Sequence, residues 1–434
     1  MGFEVKSIGE VCSVGDGAHS KVTRVETGIP YLTSKNIGQG FLKLDKLDYI
    51  SEESFEKLFS KDSKATRRPQ AGDVLFGIIG SFGNTYLYKE SDFFGFSSSI
   101  GILRPNPELL DSEYLYYVVS SKKFRDNHAN HNSGSVQGYT NIPTVKGLPL
   151  PVPSIAVQKK IAKVLQSLDR KIAVNQQTNQ TLEAMAQAIF KSWFVDFDPV
   201  KAKMRGEQPE GMDEATASLF PDKLVESELG LIPEGWEIKP IKDLCSKVQN
   251  GGTPKRSESS YWDDGDIPWL TSGEVRQSII TSVENRITQL GLDKSSAKWV
   301  PELSTLVALY GATAGEVSLT SIPLTTNQAV CALMPKKEHQ WYNYLQLKSR
   351  VAELAGKAVG SAQQNISKGL VESTEVLSVP ESLLEAFNAQ VENLFKLRIC
   401  NLQESVELAN LRDTLLPKLL SGEIELAEIS KTVK

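Results

Sequence analysis

Hydroxyl, amide and basic side chains recur in this chain on short loops, in two matching sets. Ser34-Lys35-Asn36 corresponds to Ser272-Gly273-Glu274, and Gly80-Ser81-Phe82-Gly83-Asn84 to Gly311-Ala312-Thr313-Ala314-Gly315. The segment from Ser133 to Asn141 corresponds to that from Val359 to Ser367, each holding one Gly-Ser-Xaa-Gln motif, at Gly134 and at Gly360. Amide and hydroxyl groups donate to and accept from base edges, while Lys and Arg hold phosphates or guanine. The candidate nucleic-acid contacts of the first set are therefore Ser34, Lys35, Asn36, Ser81, Asn84, Ser133, Ser135, Gln137 and Tyr139. Those of the second are Ser272, Glu274, Tyr310, Thr313, Ser361, Gln363, Gln364 and Asn365. Basic runs add Lys64, Arg67 and Arg68 next to Lys61, and Lys255 with Arg256. Where matching loops differ, as Lys35-Asn36 does from Gly273-Glu274, they should read different bases.

Other chemistry lacks its residues. There is no Gly-rich loop ending in Gly-Lys-Ser/Thr to cradle a nucleotide phosphate, and no Asn- or Asp-Pro-Pro-Tyr run to hold a target adenine. His128 and His131 stand three apart, but the second copy has no histidine there and no carboxylates accompany them, so a surface or loop role is expected. Asp196 and Asp198, before Pro199 and beside Lys201 and Lys203, suit capping and linker duty. Cys12, Cys245, Cys331 and Cys400 are too scattered for a zinc knuckle or a disulfide scaffold. Cys12 and Cys245 occupy matching places and are expected as buried small apolar residues.

The loops must be carried by elements that are themselves repeated. Gly2-Phe3-Glu4-Val5-Lys6 with Cys12-Ser13 behind it returns as Gly235-Trp236-Glu237-Ile238-Lys239 with Cys245-Ser246. Ile29-Pro30-Tyr31-Leu32-Thr33-Ser34 returns as Ile267-Pro268-Trp269-Leu270-Thr271-Ser272. Short β-like runs (Asp73 to Gly80, Ser99 to Leu103) alternate with turns and helical patches (Ser51 to Phe59, Ser112 to Phe124), and the second copy keeps that order at Thr305 to Gly311, Ala329 to Leu333 and Trp341 to Leu354. Each copy reads as α+β, a mixed, curved sheet with helices.

After Pro151 and Pro153 the period changes. Ile161, Leu165, Leu168, Ile172, Asn175, Asn179, Leu182, Ala186, Ile189 and Trp193 step by four and three, the spacing of a heptad seam. The second copy supplies Phe387, Val391, Leu394, Arg398, Asn401, Ser405, Leu408, Arg412, Leu415 and Leu419. Asn175 and Asn401 fall at equivalent mid-seam places, where a buried polar group fixes register at some loss of stability. The expectation is two helices of roughly 39 residues, about 58 Å each, paired as an antiparallel coiled coil with one globular unit at either end. The second helix should end near Pro417. The stretch from Phe197 to Leu231, rich in Asp, Glu, Gly and Pro, reads as a disordered linker. Expected boundaries are 1–150 for the first globular unit, 151–200 for the first helix and its exit, 201–230 for an acidic linker, 231–380 for the second unit, 381–425 for the second helix and 426–434 for a tail.

At 434 residues the chain can hold two ordinary domains and two extended helices, and with 40% hydrophobic and 23% charged residues it has the balance of a soluble protein. No apolar run approaches bilayer length, and the start lacks secretory design, so a cytoplasmic location is expected. The net charge of −5 implies weak nonspecific DNA affinity for this chain alone. Its distribution is uneven, since Gly206 to Gly230 carries seven acidic residues against Lys223, while Pro151 to Arg205 leans basic through residues such as Lys159, Lys160, Lys163, Arg170 and Lys171. Phosphate contact depends on that local surface.

Several longer runs carry a resemblance. They are Leu148-Pro149-Leu150-Pro151-Val152-Pro153 leading to Gln158-Lys159-Lys160-Ile161, the run Ala188-Ile189-Phe190-Lys191-Ser192-Trp193-Phe194-Val195-Asp196-Phe197-Asp198-Pro199, the run Gly230-Leu231-Ile232-Pro233-Glu234-Gly235-Trp236, and Leu415-Leu416-Pro417-Lys418-Leu419-Leu420-Ser421-Gly422. Together they resemble the specificity subunits of type I restriction-modification systems over nearly the whole chain. The resemblance implies a noncatalytic DNA-reading subunit with two target-recognition domains, each reading half of an asymmetric bipartite sequence. It implies binding to double-stranded DNA, to two modification (methyltransferase) subunits and to restriction subunits, with S-adenosylmethionine, ATP and magnesium used by those partners and no cofactor in this chain. Pro380-Glu381-Ser382 departs from the Pro-Val-Pro pattern of the first copy, which blurs the start of the second helix. The alternative is a protein-interaction scaffold with duplicated domains and no sequence readout.

Overall fold

The structure, a computed structural model, describes residues 3–63, 65–131, 139–357 and 365–424. It divides into two compact units that do not follow chain order: Met1–Ala173 with Val406–Lys434, and Val174–Ser405. The two long helices, Ile155–Phe194 and Glu381–Ser421, therefore each contribute to both units.

In the first unit, Cys12–Asp16, Ile100–Pro105, Val74–Gly77 and Thr85–Leu87 lie side by side in that order as an antiparallel sheet. The central strand shows why these residues form it. Val74 and Phe76 face a core containing Val14, Leu103, Tyr114 and Leu115, whereas Leu75 faces a second core with Leu32, Tyr86, Phe96 and Ile102. Alternate residues thus fill opposite cores, which only a period of two allows. Ile29–Leu32 pairs antiparallel with Asp48–Ile50 and parallel with Gly95–Phe96, and Val5–Ser7 pairs with Pro149–Pro151.

The second unit repeats the plan. Thr305–Ala308 is central to a five-stranded sheet, with Leu306 and Ala308 facing one core and Val307 another. Ile267–Leu270 pairs antiparallel with Asn285–Ile287 and parallel with Leu324–Thr326, and Glu237–Pro240 pairs with Glu375–Ser378. One tie recurs in both: the Tyr114 hydroxyl donates to the Pro151 carbonyl at 2.9 Å, and the Tyr342 hydroxyl to the Leu377 carbonyl at 2.8 Å. Both units are α+β with mixed sheets.

The long helices have 40 and 41 residues, about 60 Å each at 1.5 Å per residue. They run antiparallel within the second unit. The Asn175 amide donates to Glu404 at 2.7 Å, the Asn401 amide to Asn179 at 3.0 Å, and Arg398 to Glu183 at 2.8 Å, so positions rise along one helix as they fall along the other. Asn175 and Asn401 are both buried but meet through the Asn401 carbonyl, since the Asn401 side chain pairs with Asn179. In the first unit Ile161 and Leu165 share a core with Leu416 and Leu419, and Arg412 reaches Asp169 at 2.8 Å. Of the expected seam, Leu168, Leu182, Phe387 and Val391 are buried, while Ile172, Ile189, Leu394, Leu408 and Leu415 are half-buried.

Two expectations need correction. The second helix does not stop near Pro417 but runs through it to Ser421, and Gly422 at φ 73° ends it. The missing proline N–H is offset by Leu416 and Leu419, which anchor that last turn in the first unit's core. The stretch 197–231 is not a disordered linker. It forms helices Asp198–Met204 and Glu214–Ser218 and most of a hairpin of Leu224–Ser227 with Gly230–Pro233, and it buries Val200 and Phe220 in the second unit's core, with Ile232 just beyond it. Among the described residues no helix is long and apolar enough to cross a membrane.

Candidate nucleic-acid interface

Strands Ile29–Leu32 and Ile267–Leu270 each deliver a tight 3-10 turn, Ser34–Asn36 and Ser272–Arg276. Both turns are closed by the same device. Asn36 Oδ1 accepts from the Thr33 N–H and hydroxyl at 2.9 and 3.2 Å, and its amide donates to the Lys43 and Lys46 carbonyls at 3.1 Å each. Glu274 accepts from the Thr271 N–H and hydroxyl at 2.8 and 2.9 Å and from the Glu284 N–H at 2.9 Å. Asn36 and Glu274 thus spend their polar atoms inside the fold as capping-box partners. Ser34 is buried too, its hydroxyl donating to the Ile79 carbonyl and its N–H to Ser99. What each turn presents outward is its tip, Lys35 in one copy and Gly273 in the other, both exposed.

The glycine loops lie beside these turns. Gly80 and Gly311 occupy matching places with φ 81° and 78°, a backbone that β-carbon-bearing residues rarely adopt. Just before each, a single antiparallel bridge forms: Ile79 with Tyr139, and Tyr310 with Asn365. The bridges tie each glycine loop to the end of the segment that carries the Gly-Ser-Xaa-Gln motif. Tyr139, Tyr310 and Asn365 are exposed at these junctions. Asn84 faces inward, donating to the Ile37 carbonyl at 2.8 Å and accepting from Gln39 at 2.9 Å. Thr313 is buried and donates to the Tyr310 carbonyl at 3.4 Å, while Ser81 and Ser272 are half-buried.

The basic residues divide in the same way. Arg68 grips Glu56 through two nitrogens at 2.8 and 3.0 Å and the Phe59 carbonyl at 2.9 Å, and this pairing holds the Glu56 carboxyl below its ordinary range. Arg104, absent from the sequence-based candidates, fixes that run from behind by binding buried Asp73 and the Arg68 carbonyl. Burial raises the Asp73 pKa even so. Arg67 is half-buried, its Nε without a partner among the described residues. Lys255 and Arg256 are exposed, and Arg256 lies over the rings of Trp262 and Trp269 at 3.9 and 4.7 Å. Lys64, Ser133, Ser135, Gln137, Ser361, Gln363 and Gln364 lie outside the described residues.

A family model for the type I restriction modification DNA specificity domain matches residues 1–184 and again 233–382. The chain belongs to that family. It is 30% identical over 409 residues to the HindI specificity subunit of Haemophilus influenzae, covering 83% of this chain and 88% of that one. To the MjaIX specificity subunit of Methanocaldococcus jannaschii it is 27% identical over 435 residues, covering 98% and 94%. The crystal structure of a type I S subunit from M. genitalium shares the fold, with TM-score 0.57 at 15% identity and 96% of each chain covered. The protein is thus a DNA specificity subunit of the type I kind, a recognition component.

In this specificity subunit the histidine pair is split, contrary to the surface role expected for both. His131 is exposed, whereas His128 is buried and stacked on Phe82 at 4.0 Å, its Nε2 without a partner among the described residues. Burial pushes its pKa down to about 4, so it packs as a neutral ring behind the glycine loop. Among the described residues no three His, Cys, Asp or Glu side chains gather as a metal site. Cys12 and Cys245 are buried, with pKa pushed up to about 12 by desolvation. Both behave as small apolar residues.

Proposed function

We propose that this subunit reads a bipartite DNA target, one loop cluster per half-site, and that the length of the helix pair sets the nonspecific spacer. The observation that carries this reading is the equivalence of the two clusters. In each, a capped turn, a glycine loop and a bridged segment meet with the same backbone plan and different exposed residues. One plan with two surfaces suits two half-sites of unlike sequence. Exposed Lys35, Tyr139, Lys255, Arg256, Tyr310 and Asn365 stand on these loops or their flanks, and are the residues we assign to DNA contact. Modification subunits would dock on the subunit and flip target adenines out of the duplex, using S-adenosylmethionine. ATP and magnesium would serve the restriction subunits, and the assembly would work in the cytoplasm.

Replacing residues 1–150 with the corresponding domain of another family member, in a complex with the modification partners, should change only one half of the methylated motif. Long-read methylation sequencing that showed both halves changing would refute the division of labour. Inserting four residues near Gln177 adds about 6 Å of helix and should lengthen the spacer by a base pair or two. An unchanged spacer would remove the ruler. Lack of salt-dependent binding to defined DNA in the presence of the modification partner would favour the scaffold reading instead.

A further inference from the structure

The loop between Cys245–Asn250 and Ile267–Leu270 carries a cation held by two indoles. Arg256 Cζ lies 3.9 Å from the Trp262 ring centroid and 4.7 Å from that of Trp269. The two rings meet edge to face, with centroids 5.0 Å apart at 90°, so they form a corner and the guanidinium sits in it. Both rings are tied to the loop that carries the arginine, Trp262 Nε1 donating to the Lys255 carbonyl at 3.2 Å and Trp269 Nε1 to the Gly252 carbonyl at 2.9 Å. Trp269 is buried on its strand. One wall of the corner is therefore built into the sheet, and the other, half-buried Trp262, is pinned to the loop by its indole N–H.

The first copy handles its cation differently. There Arg24 is paired with Asp48, the register partner of Tyr31. In the second copy the register partner of Trp269 is Asn285, which carries no charge. Among the described residues Arg256 has no carboxylate partner, and it is exposed. Its position is thus fixed by stacking while its N–H groups are left unspent. A phosphate can also take a guanidinium fork, but it accepts a point charge equally, which neighbouring Lys255 supplies without any corner. A fixed guanidinium fork matches a planar pair of acceptors, and the O6 and N7 atoms of guanine are such a pair in the major groove.

We infer that Arg256 is a specificity-determining residue of the second domain, reading one guanine, and that Trp262 is the residue that positions it. This rests on the two-half-site reading above. The test is the methylation motif written by the complex of this chain with its modification partners, with the second domain's half identified by the exchange of residues 1–150. Arg256→Lys keeps the charge and loses the fork, and should make a single guanine position of that half degenerate, lowering discrimination there about tenfold or more. The other half should be untouched, which also shows that the variant folds. Trp262→Ala should blur the same position, and Trp262→Phe, which keeps an aromatic face, should largely restore it. Methylation that falls evenly over all sites with the motif intact would make Arg256 a phosphate contact and overturn the assignment. So would an intact motif unaffected by Arg256→Lys. A wild-type motif that does not divide into two halves would instead remove the underlying reading, and this assignment with it.

Discussion

The ion pairs Glu183–Arg398 in the second unit and Asp169–Arg412 in the first join the same two helices at the same distance, 2.8 Å. Their surroundings differ. Arg398 is 2% exposed, and its Nε and Nη1 are buried without partners among the described residues, whereas Arg412 and Asp169 are 30% and 33% exposed. A buried cation is stabilised only through its few contacts, so Arg398 depends on Glu183, Ser278 and the Phe395 face. Arg412 is more exposed and has a second carboxylate partner, Asp413, at 2.8 Å. Along the helices the second unit's stretch adds a polar ladder of Asn175, Asn179 and Asn401 to an apolar grip through Phe190, Phe387 and Val391, whereas the first unit's is fastened by Ile161, Leu165, Leu416 and Leu419. Equal geometry therefore conceals an unequal division: both units grip through apolar residues, and the second adds buried polar contacts that specify register.

The contrast can be broken most sharply at the arginines. Arg398→Ala should cost about 3–5 kcal/mol by leaving Glu183 facing an empty site, while Arg412→Ala should cost under about 1 kcal/mol, both read from denaturant unfolding. Similar losses would erase the distinction. Next comes His128, which the first domain buries where the corresponding helix of the second, Val351–Gly356, buries Leu354. The unfolded chain takes up a proton at the ordinary value of 6.5 and the folded chain only at about 4. Stability should therefore fall as pH drops between those values, by up to about 3 kcal/mol, and stay level below. His128→Leu should flatten that acid limb in thermal melts run across pH.

The capping turns give a smaller effect. Glu274→Ala strands three N–H or O–H donors in a buried place and should cost about 2 kcal/mol. Asn36→Ala, in a half-buried turn, should cost about 1 kcal/mol. Reversal of that order in thermal melts would mean the two boxes do not work alike. Lys35→Ala should leave stability unchanged and lower the slope of log affinity against log salt by about 0.9, one phosphate contact. Gly273→Ala should leave the slope where it is.

The long seam was legible because burial recurs with helical period over many turns, and Ile161, Leu165, Leu182, Phe387 and Val391 all fall on it. The sheets were legible from the repeats and from runs such as Val74-Leu75-Phe76. The stretch 197–231 misled because its acidic, Gly- and Pro-rich composition hides the few apolar residues that fold it, Val200 and Phe220 among them. His128 misled because polar Asn127, Asn130 and Asn132 surround it in sequence while Phe76, Phe82 and Phe124 surround it in space. Among the site residues, residue type alone could not separate outward from inward polarity. Ser34, Asn36, Asn84 and Glu274 have the chemistry to read a base and use it to hold the loop, a role fixed by tertiary hydrogen bonds. The Arg256 corner had a faint signal, the two tryptophans seven residues apart where the first copy has Arg24 and Tyr31.

The first unit takes in Val406–Lys434 as well as Met1–Ala173, and this fixes the order in which a ribosome can complete the molecule. The domain synthesised first waits for Leu416 and Leu419, which are made only after the second unit's residues, before its core is complete. A premature stop codon soon after Ser405 would leave the later-made unit's residues complete and deprive the earlier-made one, so truncation there should damage the reader that is synthesised first.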